Sequence, residues 1–509
     1  MPVLKKVLVA NRGEIAVRIV RGCRDRGLSS VAVYSDCDRT SRHVRMADEA
    51  WRLGGNTPRE SYLRIDAIVE IARKSGADAV HPGYGFLAEN AAFAEACADA
   101  GLVFIGPSPA AIRAMGSKTA ARAAATAAGV AVVPGSGAPL PASCRDEDVL
   151  EAARGVGYPL MLKAVAGGGG KGMRLVADEG ELPGALRAAR SEAQSSFGDA
   201  SVYLERRLER PRHIEVQLLG DAHGTVVPFV ERECSIQRRH QKVLEESPSV
   251  AVTPDQRVAL TDAAARVARQ VGYTNAGTIE FLLDADGRFY FLEMNTRLQV
   301  EHPVTETVTG IDLVEWQLRI AGGEPLTLDP QALITPRGHA IEARIYAEDP
   351  DDRFLPSPGP VTHLRPAAGP GIRDDGGLTA PGEVPIYYDP LVAKLIASGS
   401  DRAQAITRLA RALREYEIEG IKTTIPFFRW LITNEDFLAA RVDTTWLDRV
   451  LALRAGQPFW TSAEPVADLA AIAAAIQTST AKAPTNGAAT VDAPASGGWV
   501  AAARREALR

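Results

Sequence analysis

The sequence predicts a chain of mixed α/β and α+β class: a doubly wound parallel sheet first, antiparallel strands next, and a mixed α/β lobe last. Three observations carry this. Up to about Lys118, apolar strand-like runs alternate with helical periodicity. Beyond about Glu205, after a small α/β unit, the chain turns strand-rich as far as Asn295, and past Arg337 the two patterns mix.

The opening "KKVLVANRGEIAVRIVRGCRDRGLSSVAVYS" reads as strand, turn at Asn11 to Gly13, helix and strand, which is a βαβ unit. Its repeat follows: helical "SYLRIDAIVEIARKSG", strand "ADAVHPG", a helix around "AENAAFAEACADAG" and strand "LVFIGPS". The alanine-rich "GSKTAARAAATAAGV" is one more helix, and the Pro and Gly of "VVPGSGAPLPAS" then mark a boundary. Beyond it lie a small α/β unit from about Leu150 to Glu205 and the strands "HIEVQLLGD", "TVVPFVERE" and "GTIEFLLDADGRFYFLEMN". The mixed segment ends near residue 455, and "TSTAKAPTNGAATVDAPASGG" reads as a flexible linker before a short "WVAAARREALR".

At 509 residues the chain is expected to hold about three domains. A formal charge of −5, from 58 Lys+Arg against 63 Asp+Glu, leaves no basic footprint for nucleic acid or membrane and points to small-molecule chemistry. The charged N-terminus "MPVLKKVLVANRGE" and the lack of any run long enough to span a bilayer predict a cytoplasmic protein. Cys23, Cys37, Cys97, Cys144 and Cys234 are scattered without a C-x-x-C, so they are expected to be reduced and structural.

The stretch "MLKAVAGGGGKGMRLV", Met161 to Val176, nearly fits two nucleotide motifs and satisfies neither. A P-loop fails because Val165 stands five residues before Gly170 and Gly172 follows Lys171 where a hydroxyl is needed. A dinucleotide fingerprint drawn through Gly167, Gly169 and Gly172 must open a helix, but "MRLVAD" reads as a strand. Strand, glycine loop, strand is a hairpin: either a flap whose backbone N–H groups fold over an anion, or a plain surface turn.

The hairpin "GTIEFLLDADGRFYFLEMNTR" is more informative. With Asp286 and Gly287 as central turn residues, Ala285 pairs with Arg288 and Glu280 faces Glu293. Carboxylates directly opposite on one face repel and call for a cation; Asn295 shares that face, and the three oxygen donors suit Mg²⁺. A different register would turn the pair to solvent. Nearby, "NTRLQVEHPVTE" and "ERECSIQRRHQKVLEESPS" supply Arg297, Gln299, Glu301, His240 and Lys242. Lys242 and Arg297 can hold a small planar oxyanion with Glu301 as base, or each can be an ordinary surface ion-pair partner. Cys234 beside His240 has no further support as a thiol nucleophile.

These residues, together with "HPGYGFLAEN", "KAVAGGGGKGM", "YLERRLERPRHIEVQ", "EMNTRLQVEHPVTE", "GHAIEARIYAEDP", "FLPSPG" and "YYDPLVAKL", closely resemble the biotin carboxylases, over roughly residues 3 to 445. The resemblance implies a Rossmann-like N-terminal domain at 1–118 and an ATP-grasp domain at 119–335 with a glycine-rich lid at about 135–205. It implies a C-terminal domain at 336–455, leaving 456–509 as short helix, flexible linker and tail. It places ATP against Lys118, Lys163, Gly169, Gly170, Glu205, Arg206, Leu208, His213 and His240, with Glu280 and Glu293 also contacting the nucleotide. It places Mg²⁺ or Mn²⁺ at Glu280, Glu293 and Asn295, bicarbonate at Lys242, Arg297 and the Val300 backbone, the base at Glu301, and the biotin enolate at Arg344.

The implied reaction joins bicarbonate to the γ-phosphate as carboxyphosphate, which releases CO₂ to biotin N1′ while the phosphate takes the ureido proton. No "AMKM"-type biotin-accepting segment occurs, so biotin is expected on a carrier protein, with carboxyltransferase subunits and a homodimeric assembly. The implied acceptor is an acyl-CoA, acetyl-CoA first, as in fatty acid biosynthesis; propionyl-CoA, pyruvate, and more remotely another ATP-grasp ligase are the alternatives. Ala166 stands where most relatives have a fifth glycine, which implies a slightly stiffer lid hinge.

Overall fold

Five parallel strands open the chain, ordered Glu49–Arg52, Ser29–Tyr34, Lys6–Val9, Ala79–His81 and Val103–Phe104. The computed structural model describes residues 4–165, 173–454, 456–459, 469 and 471–476. Met1–Phe459 forms one unit and Trp460–Arg509 a second, of which only 469 and 471–476 are described, all helical. The helix Gly13–Asp25 presents Ile15, Ile19 and Cys23 one turn apart to the strand residues Val7 and Val9. The doubly wound expectation holds, with one addition. Glu49–Arg52 is an edge strand that alternates half-buried and exposed residues, so it carries no apolar run by which sequence could announce it.

The next unit is a three-stranded antiparallel sheet with Leu160–Ala164 between Met173–Val176 and Val202–Arg206. Lys163 pairs with Met173, so the strands flanking the glycine run form the two arms of a hairpin. Ala166, Gly169 and Gly170 lie outside the described residues. Val149 and Ala153 of one helix and Leu182, Leu186 and Ala189 of another pack on the sheet.

A nine-stranded sheet then dominates. Its order is Phe289–Asn295, Asn275–Leu283, Arg212–Gly220, Arg232–Arg238, Gln241–Ser247, His339–Tyr346, Leu391–Gly399 and Ile372–Gly376, with Val226–Pro228 beside Arg212–Gly220. All pairs are antiparallel, and the ladder Leu244↔Ala343 to Ser247↔Ala340 carries the sheet without a gap past residue 335. Helix Arg402–Glu415 covers its far end through Ala405, Leu409 and Leu413, over a core that includes Phe427 and Phe428.

The hairpin register needs one correction. Asp284, not Ala285, pairs with Arg288, so the turn holds three residues, Ala285 to Gly287, with Gly287 at φ +82°. A bulge between Glu280 and Phe281 then shifts the ladder by one residue and restores the expected partnership of Glu280 with Glu293. Two offsets cancel, and both carboxylates end up on one face.

Where Ile372–Gly376 ends, the chain meets the first helix. A Cβ on Gly377 would lie 2.6 Å from the Glu14 backbone nitrogen and 2.8 Å from the Gly13 carbonyl carbon. Neither atom can swing aside, so Gly377→Ala is expected to cost about 1–3 kcal/mol. An unchanged thermal midpoint would show that the strand end yields freely.

Among the described residues no helix is long and apolar enough to cross a membrane. All five cysteines are free thiols.

Candidate active site

Three adjacent strands place Glu293, Glu280 and Glu215 in one row, and Arg232 stands opposite Glu215 on the next strand. Glu215 and Glu280 are buried, so uncompensated repulsion would be severe. Lys242 compensates it. Its ammonium donates to Glu215 Oε2 at 2.6 Å, Glu280 Oε1 at 2.7 Å and Glu301 Oε1 at 2.7 Å. The fully buried Arg232 guanidinium adds hydrogen bonds to Glu215, Gln217, Thr278 and Thr305.

Burial alone would push the Glu280 carboxyl up, but Lys242 and then His213 outweigh it and hold it far below the usual range. Burial likewise works against ionised Glu215, and Arg232 and Lys242 overcome it. Glu293 goes the other way, raised by burial and then by Glu280. His213 Nε2 lies 3.3 Å from Glu280 Oε2; burial opposes its charge, but Glu280 lifts it to about 9, an imidazolium at neutral pH.

Glu301 immediately precedes the helix His302–Thr309 and is fully buried. Its Oε1 accepts from Lys242 and its Oε2 from Arg344 Nη2 at 3.0 Å. Burial and Glu215 favour the protonated form, yet Lys242 and Arg344 together keep the carboxyl lowered and therefore ionised. Arg297 donates to Glu89 Oε2 at 3.0 Å, Gln299 Oε1 at 2.9 Å and Asn295 Oδ1 at 3.0 Å. Asn295 and Gln299 in turn donate to Glu280 Oε1, so Arg297 joins the same network. The Val300 carbonyl accepts from Lys394 Nζ at 2.9 Å.

The small three-stranded sheet contributes Lys163 and Glu205, which are bonded to each other, with Arg122 on the second Glu205 oxygen. Arg206 donates to the Tyr290 hydroxyl at 3.3 Å, and Leu208 is half-buried just past that strand. Lys118 begins the helix Lys118–Ala127; burial lowers its ammonium while Glu293 opposes the fall, which ties it to the carboxylate row. His240 occupies the exposed turn before Gln241–Ser247, at φ +67°.

Sequence reasoning did not single out Glu215, Arg232, Glu245, Lys394, Glu89 or Arg122. For Glu215 a signal existed: it follows His213 by two residues in "RHIEVQ" and so shares its face of the strand. The others are joined to the site only by tertiary folding.

The oxygen donors of Glu280, Glu293 and Asn295 suit a hard divalent cation such as Mg²⁺. Among the described residues, His213, Glu215 and Glu280, and Glu215, Cys234 and Glu301, each bring three potential ligand atoms within 4.8 Å of one another. Cys234 contributes little there: burial first and then Glu215 push its thiol far up, so it is a neutral S–H, neither a ligand for a hard ion nor a nucleophile.

A parallel N-terminal sheet, a glycine-run hairpin and a row of acids threaded by buried cations together define the ATP-grasp class of ligases. Family models agree segment by segment. Residues 3–112 match "Biotin carboxylase, N-terminal domain", 117–329 match "Carbamoyl-phosphate synthase L chain, ATP binding domain" and 342–449 match "Biotin carboxylase C-terminal domain". The biotin carboxylase of Halalkalibacterium halodurans is 52% identical over 89% of this chain and 99% of its own. A pyruvate carboxylase subunit from Methanothermobacter thermautotrophicus is 51% identical over 87% of this chain and 89% of its own. The biotin carboxylase domain dimer of Hydrogenobacter thermophilus 2-oxoglutarate carboxylase, in complex with MgADP, ADP and bicarbonate, superposes with a TM-score of 0.86 at 44% identity, covering 91% of this chain and all of that one. The chain belongs to the biotin carboxylase family and is a biotin carboxylase of biotin-dependent carboxylases.

Proposed function

We propose that the chain uses ATP and bicarbonate to carboxylate biotin borne on a carrier protein, and that Glu301 is the base of the first step. The observation that carries this is the placement of Glu301 between two cations, Lys242 on one oxygen and Arg344 on the other. Lys242 and Arg297, with the backbone at Val300, bind bicarbonate. An anion that draws Lys242 away from Glu301 weakens one of the two contacts keeping its carboxyl acidic, and so raises its basicity where a proton must be taken. Bicarbonate then attacks the γ-phosphate, and Lys118 and Lys163 offset the developing charge. The carboxyphosphate so formed splits to CO₂ and phosphate, the phosphate takes the ureido proton of biotin, and Arg344 stabilises the resulting enolate oxygen as N1′ takes up the CO₂.

Lys118, Lys163, Glu205, Arg206, Leu208, His213 and His240 hold the nucleotide, and Gly169 and Gly170 are assigned to its phosphates. Glu280, Glu293 and Asn295 would hold Mg²⁺, or Mn²⁺ in its place, which supplies charge neutralisation at the phosphates.

We assign the division 1–118, 119–335, 336–455 and 456–509 to the N-terminal, ATP-grasp, C-terminal and tail segments. We place the protein in the cytoplasm as a homodimer working with a carrier and a carboxyltransferase. The dimeric state of the Hydrogenobacter domain supports the assembly. The acceptor we assign is acetyl-CoA, the first of the acyl-CoA acceptors that the resemblance implies. Pyruvate is the second reading, favoured by the Methanothermobacter relative.

Full-length protein is expected to form ADP only with bicarbonate present, and faster with free biotin added; loss of both dependences would refute the assignment. The complex isolated from its source on the tagged chain is expected to carboxylate acetyl-CoA faster than propionyl-CoA or pyruvate. A preference for pyruvate would select the second reading.

A further inference from the structure

Arg344 is not held by Glu301 alone. Glu245, on strand Gln241–Ser247, accepts on its Oε1 from Arg344 Nε at 2.7 Å, and Arg344 Nη2 is ion-paired to the same oxygen at 2.6 Å. Directly opposite Glu245, on strand His339–Tyr346, stands Glu342, and both carboxyls are fully buried. Among the described residues neither oxygen of Glu342 has a hydrogen-bond partner, nor has Glu245 Oε2. Two acids opposed in one buried face, with a single guanidinium on one of them, cannot both be anions.

We propose that Glu245 is the positioning residue for Arg344, anchoring one edge of the guanidinium so that it is shared with Glu301 rather than captured by it. This rests on the assignment of Arg344 to biotin. Without the Glu245 anion, Arg344 has Glu301 as its remaining carboxylate partner and closes on it. That contact has to be broken each time biotin binds. Glu342 is the member of the pair that keeps its proton. Lys394, Glu245, Arg344 and Glu301 bear on it electrostatically; burial raises its carboxyl well above the ordinary value, and Lys394 only partly opposes the rise. Arg344, Glu301, Lys242 and Glu342 bear on Glu245, which burial lifts to about 7 against the pull of Arg344, so it ionises before Glu342.

The readout is the ratio of biotin-stimulated to biotin-independent, bicarbonate-dependent ADP formation, measured on the full chain with free biotin. Arg344→Gln, Glu245→Gln and Glu342→Gln are compared with the parent. Arg344→Gln and Glu245→Gln are each expected to lower the ratio at least tenfold and to raise the KM for biotin. A merely structural defect would reduce both rates together. If Arg344→Gln leaves the ratio unchanged, the assignment of Arg344 to biotin fails. If Arg344→Gln lowers it and Glu245→Gln leaves it within threefold of the parent, the positioning role alone is overturned. Should Glu245→Gln not fold, Glu245→Asp keeps the charge with a shorter reach, and the same tenfold loss is expected.

A carboxyl raised in the folded state stabilises fully below its unfolded value near 4.5 and loses that contribution as pH rises. Glu342→Gln removes this loss, so its thermal midpoint is expected to gain on the parent, more at pH 8 than at pH 5. A midpoint that falls further behind at pH 8 would make Glu342 the anion and overturn the proposal.

Discussion

Replacing Glu301 by Gln is expected to slow bicarbonate-dependent ADP formation by about 100- to 10,000-fold, the range a general base contributes. The change is nearly isosteric. The Gln carbonyl oxygen still accepts from Lys242, while its amide NH₂ no longer accepts from Arg344, so the Lys242 side of the network is kept while the base is lost. The KM for ATP is expected to stay within about threefold, because the nucleotide residues lie on other elements. Folding is checked independently by the thermal midpoint. Full retention of turnover would mean that another group, or bicarbonate bound already deprotonated, does the work assigned to Glu301.

Lys242→Met carries the largest expected cost in stability. It leaves Glu215, Glu280 and Glu301 buried without the ammonium that bonds all three, and removing one partner from a buried ion network costs about 3–5 kcal/mol. The sign of its pH dependence follows from the shifts. The three carboxyls are lowered in the folded protein, so their contribution is present above the unfolded value near 4.5 and lost as pH falls through the folded one. Without Lys242 the folded values rise, so the stability that the three carboxylates contribute above the unfolded value shrinks, and the loss grows as pH increases. The Lys242 ammonium is itself raised, burial opposing and Glu215 leading the rise, so its own contribution fades only at strongly alkaline pH. The gap in thermal midpoint between parent and Lys242→Met, measured with a chelator present, is therefore expected to widen from pH 5 to pH 8. A constant gap would place the loss in packing rather than charge.

Much of this was legible in sequence because it is local. The βαβ repeat, the strand-loop-strand setting of the glycine run and the antiparallel hairpins follow from periodicity and turn residues within short windows. The pairing of Glu280 with Glu293 was reached through a turn one residue too short. The bulge that rescues it leaves no mark in the pattern of apolar residues. What was not legible is non-local. Glu215 meets Glu280 only because Arg212–Gly220 lies beside Asn275–Leu283 in the sheet. Lys394 reaches the Val300 carbonyl from a strand 94 residues away, and Glu89 reaches Arg297 across 208. Taken singly, such residues read as surface ion-pair partners; their meeting in the fold turns them into a site.

The most direct test of the mechanism is the fate of bicarbonate oxygen. If bicarbonate activated at Glu301 attacks the γ-phosphate and the resulting intermediate then loses CO₂, the new P–O bond survives in the product. Turnover with ¹⁸O-bicarbonate and unlabelled water, biotin present, is expected to give inorganic phosphate carrying one ¹⁸O atom per molecule. Phosphate free of label would mean that water, not bicarbonate, attacks ATP, and would contradict the mechanism.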